Sequence, residues 1–447
     1  MKGRAGQGTE DKARAEGPTP GQAALATAGR HAEGRAAPAA GPGGSAPGRG
    51  ASRWAAALGL TRDIPASRLQ MAASVAALVV VAVIFQVQTS LFLSPRNITE
   101  LLLESIQVGV MALGLIFVLL LGEIDLSVAG LSAVCATVTA SAIVVHHMGT
   151  GAGIALGLGT GVAFELVQGL IITVFGAPSL IVTLGGSLVL SGVLLVILPS
   201  SEQIPLGSTV LGSYSSDFVP GGVAWVLIAL GVGAFVVIRS LAYRESRPRE
   251  GEPPGRASLV RVVIWPAVLV TAVVLAAEML LNAYLGLPLF LALFVGMIAV
   301  CAYITTQTRF GVHLYAVGGS RQAANRAGIS PRKMLLSAFA INGFFAAAAG
   351  ILGASRILGV GVDTNSPDLL LVAIAAAVIG GTSLFGGRGN VWGALIGALL
   401  IESLANGLDL LGASSATQYI AEGLVLGVAT IIDSIVNRRW IFARTGG

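Results

Sequence analysis

Leu120–Ser132 reads "LLGEIDLSVAGLS". It separates two long apolar runs, and it places two carboxylates, Glu123 and Asp125, where carboxylates are expensive. An ionised side chain at the centre of a bilayer costs at least about 2.5–3.5 kcal/mol on insertion scales. Such a residue survives by facing a polar cavity, by pairing, or by capping a helix. Gly122 followed by Glu-Ile-Asp-Leu-Ser fits a break between helices. Asp125 is then placed to accept N–H bonds at the start of the next helix, near Ser127 and Val128. The same groups also qualify as the lining of a substrate path. The two readings are compatible, because half-helix ends are where transport sites form.

The rest of the chain supports a membrane setting. Of 447 residues, 54% are hydrophobic and only 11% charged, against about a quarter charged in soluble domains. Mean hydropathy is +0.83. The apolar residues fall in blocks of roughly twenty, long enough to cross a hydrocarbon core of about 30 Å as helix. No ten-residue alternation of the barrel type is visible. The expected fold is an all-α polytopic membrane protein with about 10–12 transmembrane helices, some broken at glycines.

Apolar segments are expected near 71–93, 101–121, 127–147, 151–175, 178–198, 222–239, 263–282, 286–306, 334–358, 367–381, 390–411 and 416–436. Four basic stretches flank them: a tail over 1–68, the loop 240–261, the loop 307–333, and a tail over 438–447. Even numbers of segments separate these stretches, so all four fall on one side, the cytoplasm, with both termini there. Replacing one pair of segments by a re-entrant pair keeps the parity, which leaves ten or twelve full spans. The polar stretch 199–221 has no Lys or Arg and falls outside. The first fifty residues are rich in Gly, Ala and Pro and have no aromatic residue, the inventory of a disordered tail. No signal peptide precedes the first apolar run. The membrane-spanning core is therefore 69–437.

The net charge of +5 reflects these flanking stretches and gives no reason to expect nucleic acid. Cys135 and Cys301 lie in apolar blocks and read as packing residues. The four His do not have metal-ligand spacing. No nucleophile–base arrangement stands out, so neither an enzyme nor a metal site is expected.

A second glycine-rich interruption, "GGTSLFGGRGNVWG" over 380–393, gives a weak internal repeat with the first. It lacks the terminal Gly-Lys-Ser/Thr of a nucleotide-binding loop, and the lysines Lys2, Lys12 and Lys333 do not supply one. Arg388 and Asn390 are its strongly polar members, and it reads first as a structural turn. Candidate substrate-path residues are Glu123, Asp125 and Ser127 in the first interruption and Thr382 and Ser383 in the second. In "GSRQAANRAGISPRKM" (319–334), Gln322 to Arg326 offers a short helix, ended by Gly328 and followed by Pro331. It reads either as an ordinary basic loop or as a docking element.

"GEIDLSVAG", "PSLIVTLGG" (178–186), "RFGVHLYAVGGSRQAANRAGI" (309–329), "FAINGFFAAAAGIL" (339–352) and the run 380–412 together resemble the membrane-spanning permeases of bacterial ABC sugar importers, ribose and xylose branch. The resemblance spans about 69–437. Glu123 before Ile-Asp-Leu-Ser and the additional segments near 240–282 are most like the xylose-type subgroup. Ala129, between Val128 and Gly130, departs from its pattern. The resemblance implies an inner-membrane importer subunit for a pentose, xylose first. It implies no cofactor on this chain, with ATP used by a separate ATP-binding cassette subunit. It also implies a second permease subunit, giving a homodimer, and an extracytoplasmic sugar-binding protein. Gln322, Ala323, Ala324 and Gly328 are similar to the segment that couples such permeases to their ATPase. Alternatives are a proton-coupled secondary sugar transporter, with Glu123 and Asp125 as proton carriers, or an ABC permease for ribose, galactose, a signalling sugar or branched-chain amino acids.

Overall fold

The computed structural model describes residues 66–198, 203–245, 259–364 and 367–445. Residues 1–65 of the expected tail over 1–68 and the loop residues 246–258 lie outside these, and residues 66–68 begin the first helix. The chain runs through α1 (Ala66–Thr89), α2 (Pro95–Leu120), α3 (Val128–Ala140), α4 (Thr150–Phe175) and α5 (Ser179–Ile197). A short strand β1 (Gln203–Pro205) and a one-turn helix α6 (Val210–Ser213) follow. Next come α7 (Gly221–Glu245), α8 (Trp265–Asn282), α9 (Leu289–Gln307), α10 (Arg309–Gly319), α11 (Arg321–Arg326) and α12 (Pro331–Arg356). The chain closes with β2 (Gly359–Gly361), α13 (Pro367–Ile379), α14 (Gly393–Leu410) and α15 (Ser415–Thr445). Helix α15 runs past the expected domain end at 437.

Among the described residues, 10 helices are long and apolar enough to cross a membrane. The protein is a multi-pass, all-α membrane protein. The segment expected over 367–381 is shorter than a span. Helix α13 has 13 residues, about 20 Å at the helical rise per residue. In lipid its last carbonyls need donors, and α1 supplies them. Gln70 Nε2 donates to the Val378 carbonyl at 2.9 Å, and the Ser74 hydroxyl donates to that of Ile379. Both halves of the expected repeat are helix–glycine break–helix units, α2 to α3 and α13 to α14.

Hydropathy does not separate inner from outer helices in a bilayer, because lipid is as apolar as leucine; small side chains do. Helix α12 carries the buried run Ala346–Ala349, which lets α2, α3 and α4 pack closely on it. Helix α2 is buried almost continuously from Ser105 to Leu120. Helices α1, α5, α7 and α8 are mostly exposed and apolar, the surface expected against lipid.

The helix ends gather at two opposite ends of the bundle. At one, β1 pairs antiparallel with β2, and the Leu289 N–H at the start of α9 donates to the Asp217 carbonyl at 3.1 Å. At the other lie Leu120–Glu123, α10, α11 and the loop after α13. Helix α9 separates the two by about 28 Å.

Candidate functional site

The break after α2 forms because Gly122 sits at φ 72°, a conformation open to glycine and costly for a side chain. The chain turns there and restarts as α3 at Val128. Asp125 holds the turn. Its Oδ1 accepts the Ser127 N–H at 2.8 Å and the Ser127 hydroxyl at 2.6 Å. Its Oδ2 accepts from Asn342 Nδ2 of α12 at 2.6 Å. Asp125 thus makes the expected bond at the start of α3, and a second tie to a helix 217 positions away.

Two residues of α4 complete the network. Gln168 Nε2 donates to Ser127 Oγ at 2.8 Å and to Glu165 Oε1 at 3.3 Å. Glu165 Oε1 lies 3.2 Å from Ser127 Oγ. From α5, the Thr183 hydroxyl accepts the Leu126 N–H at 3.1 Å. Asp125, Ser127, Glu165 and Asn342 have no exposed surface. The break is therefore stitched to α4, α5 and α12 by side chains fully withdrawn from solvent.

Glu123 faces the other way. It pairs with Arg321, the first residue of α11, and accepts the Ser179 hydroxyl at the start of α5. Arg321 also donates to the Leu121 carbonyl at 3.1 Å. Beside this pair lies a cavity of about 350 Å³, lined by Leu121, Glu123, Ser179, Val317, Arg321 and Leu335, among others.

Helix α11 is presented outward. Ser320 caps it, its hydroxyl accepting the Ala323 N–H at 3.3 Å. Ala324 packs inward while Gln322, Ala323 and Gly328 are exposed. Gly328 ends the helix at φ 82°. The helix found over Arg321–Arg326 agrees with the spacing of "RQAANR".

The second interruption is a compact turn. The Ser383 N–H donates to the Arg388 carbonyl at 2.9 Å, and Arg388 donates to Ser383 Oγ at 3.3 Å. Thr382 and Ser383 are buried in it. The two interruptions touch: the Gly387 N–H donates to the Leu120 carbonyl at 2.8 Å. Gly318 of α10 packs on the same carbonyl so closely that a Cβ there would collide with it. Tyr315 of α10 donates its hydroxyl to the Gly389 carbonyl at 2.9 Å. Burial raises the Tyr315 phenol above its ordinary pKa, which keeps it a donor. The segment carrying α11 is thus joined to both breaks through backbone contacts.

A second polar group occupies the opposite half of the bundle. Arg356 of α12 pairs with Glu104 at 3.2 Å and Glu100 at 3.5 Å, both on α2. Asn406 of α14 donates to Glu104 at 3.5 Å and accepts from Asn97 at 2.9 Å. These side chains are partly exposed. Glu104 lies about 14 Å along α2 from its first residue, too deep for water unless the face is turned from lipid. The sequence reading missed this group, and it missed Glu165, Gln168 and Asn342. The available signal was the polar side chain inside an apolar block, which marks a site by default.

The two ends now have distinct chemistry: a packed, hinged end with an outward helix, and a half-open end rich in hydrogen-bond acceptors. Residues 97–431 match the family described as the permease component of the branched-chain amino acid transport system. This chain belongs to that permease family. The permease is 33% identical over 378 residues to the xylose transport system permease protein of Escherichia coli, covering 83% of this chain and 93% of that protein. It is 35% identical over 371 residues to the xylose transport system permease protein of Haemophilus influenzae, covering 82% and 96%. It is 30% identical over 367 residues to the ribose import permease protein of the same organism, covering 82% and 93%. No solved structure matches the permease. Its matched region takes in both breaks, α10, α11 and the Glu104–Arg356 group, and excludes α1.

Proposed function

We propose that this chain is the membrane-spanning subunit of an ABC importer for a monosaccharide, xylose or another pentose first. The observation that carries the reading is α11. A short exposed helix is fastened by Arg321 to Glu123 in one break, while the segment before it packs on the other. Force applied to α11 from outside the chain reaches both hinges. Gln322, Ala323 and Gly328 form the surface that an ATP-binding cassette subunit docks on, and that subunit hydrolyses the ATP. Ala324 of the same segment packs beneath that surface, against the bundle. A ligand shifts such an element only by binding its two states unequally; ATP on the partner subunit and a loaded sugar-binding protein supply that difference. The complex sits in the bacterial inner membrane with two copies of this chain, α11 and both termini facing the cytoplasm.

The acceptor-rich half supports a sugar. A sugar offers hydroxyl donors that Glu104, Asn97 and Asn406 can accept, and Arg356 is held by two glutamates. We assign the entry to the path to this half. Glu123, Asp125, Ser127, Thr382 and Ser383 then act on the path as its hinges. The test is import of labelled xylose into proteoliposomes holding this chain, its ATPase and its binding protein. ATP-dependent uptake is expected. Uptake driven by a proton gradient without the ATPase would overturn the reading.

A further inference from the structure

We propose that Glu165 is a positioning residue that carries a proton and donates it to Ser127, the partner of Asp125, so that a neutral acid holds the first helix break in shape. The argument is a count of donors. Asp125 accepts three: the N–H and O–H of Ser127 at 2.8 and 2.6 Å, and Asn342 Nδ2 at 2.6 Å. Ser127 has one hydroxyl proton, and the bond at 2.6 Å to Asp125 takes it. The contact of Ser127 Oγ with Glu165 at 3.2 Å then has no proton from Ser127. Gln168 Nε2, at 3.3 Å, is left for Glu165 Oε1. Glu165 Oε2 is buried without a donor of its own.

The Ser127–Glu165 contact is therefore a hydrogen bond only if Glu165 supplies the proton and Ser127 Oγ accepts it. Among the described residues no Lys, Arg or His pairs with Asp125 or Glu165; the ion pairs there belong to Arg321 and Arg356. Two adjacent carboxyl groups without a cation and without solvent do not both ionise. The group with more donors keeps the charge, which is Asp125, and the proton resides on Glu165. The other titratable group facing Glu165 is Cys135 of α3. Helices α12 and α5 contribute Asn342 and Thr183, which do not titrate.

The consequence runs along the chain. Glu165 fixes Ser127 and through it Asp125, Asp125 fixes the break, and two residues earlier Glu123 holds α11 through Arg321. A proton held in this way is part of the hinge rather than a transported ion. Its effect on import rests on the importer reading above; the proton itself does not.

The test uses the chain in lipid nanodiscs and in the reconstituted importer. An infrared difference between the wild-type chain and Glu165→Gln is expected to contain the carbonyl band of a protonated carboxylic acid, lost in the variant. Glutamine also donates a hydrogen bond, so Glu165→Gln is expected to import labelled xylose within about twofold of wild type. Glu165→Leu cannot donate and is expected to import roughly tenfold less. The proposal is overturned if the band persists in Glu165→Gln and disappears in Asp125→Asn, or if Glu165→Gln imports as poorly as Glu165→Leu. If the wild-type complex imports no sugar, the importer reading fails, and the infrared band still decides whether Glu165 holds the proton.

Discussion

Two groups of carboxylates sit within the spans of this permease, and they are solved in opposite ways. Around the first break, Asp125 and Glu165 have no exposed surface and no cation; neutral side chains and a backbone N–H satisfy Asp125. Around Arg356, Glu100 and Glu104 are partly exposed and ion-paired. Burial without a counter-charge demands a fixed set of donors, because an unmatched buried group costs far more than a matched one returns. Partial exposure with a counter-charge leaves room for water or a ligand to replace a partner. The same residue type therefore makes a rigid hinge in one place and an exchangeable surface in the other.

The sharpest way to break this comparison is to change the donor pattern at the hinge. In Asp125→Asn the charge that strengthens three hydrogen bonds is lost, and the contact with Asn342 at 2.6 Å stays paired only if an amide turns over. The expected loss is about 2–3 kcal/mol of stability, read as a lower unfolding midpoint in detergent. Asn342→Asp alone places another acid in the network and is expected to lose a similar amount. The double variant Asp125→Asn with Asn342→Asp restores a donor facing an acceptor and is expected to recover most of it. A strictly additive double variant would show that the pair does not hold the hinge.

What could be read in advance follows from distance along the chain. The spans were legible because length and hydropathy are local properties. The break was legible because Gly122, Glu123 and Asp125 lie together, and α11 was legible between Ser320 and Gly328. The partners were not. Asn342 lies 217 positions from Asp125, and Arg321 lies 198 from Glu123. Asn342 and Arg321 stood in motifs already singled out, but nothing local says which carboxylate each one meets. The length of α13 was hidden for the same reason, since Gln70 and Ser74, more than 300 positions away, satisfy its last carbonyls.

A smaller effect is expected where the hinge meets α11. The Arg321 side chain is half exposed, so its ion pair with Glu123 contributes about 0.5–1 kcal/mol at most to stability. Arg321→Gln is therefore expected to fold normally. Its expected defect is in coupling: several-fold less xylose imported per ATP hydrolysed by the reconstituted complex, with ATPase activity retained. Unchanged coupling would mean that the backbone contacts of Gly318 carry the motion without the ion pair.

The smallest change in stability is expected at the half-open end, and it tests whether that surface is exchangeable. Glu104→Gln keeps the shape of the side chain and leaves Arg356 paired with Glu100 at 3.5 Å. Because the residue is partly exposed, water can solvate what the substitution leaves, and the unfolding free energy is expected to change by no more than about 0.5 kcal/mol. Transport separates the two uses of a carboxylate. If Glu104 accepts hydroxyls from the passing sugar, replacing the charged acceptor by a neutral one weakens that bond by about 1 kcal/mol, and half-saturation for import shifts several-fold upward at an unchanged maximal rate. If Glu104 serves only to neutralise Arg356, both quantities stay at wild-type values. A stability loss as large as that of Asp125→Asn would remove the distinction altogether, since it would make the second group as rigid as the first.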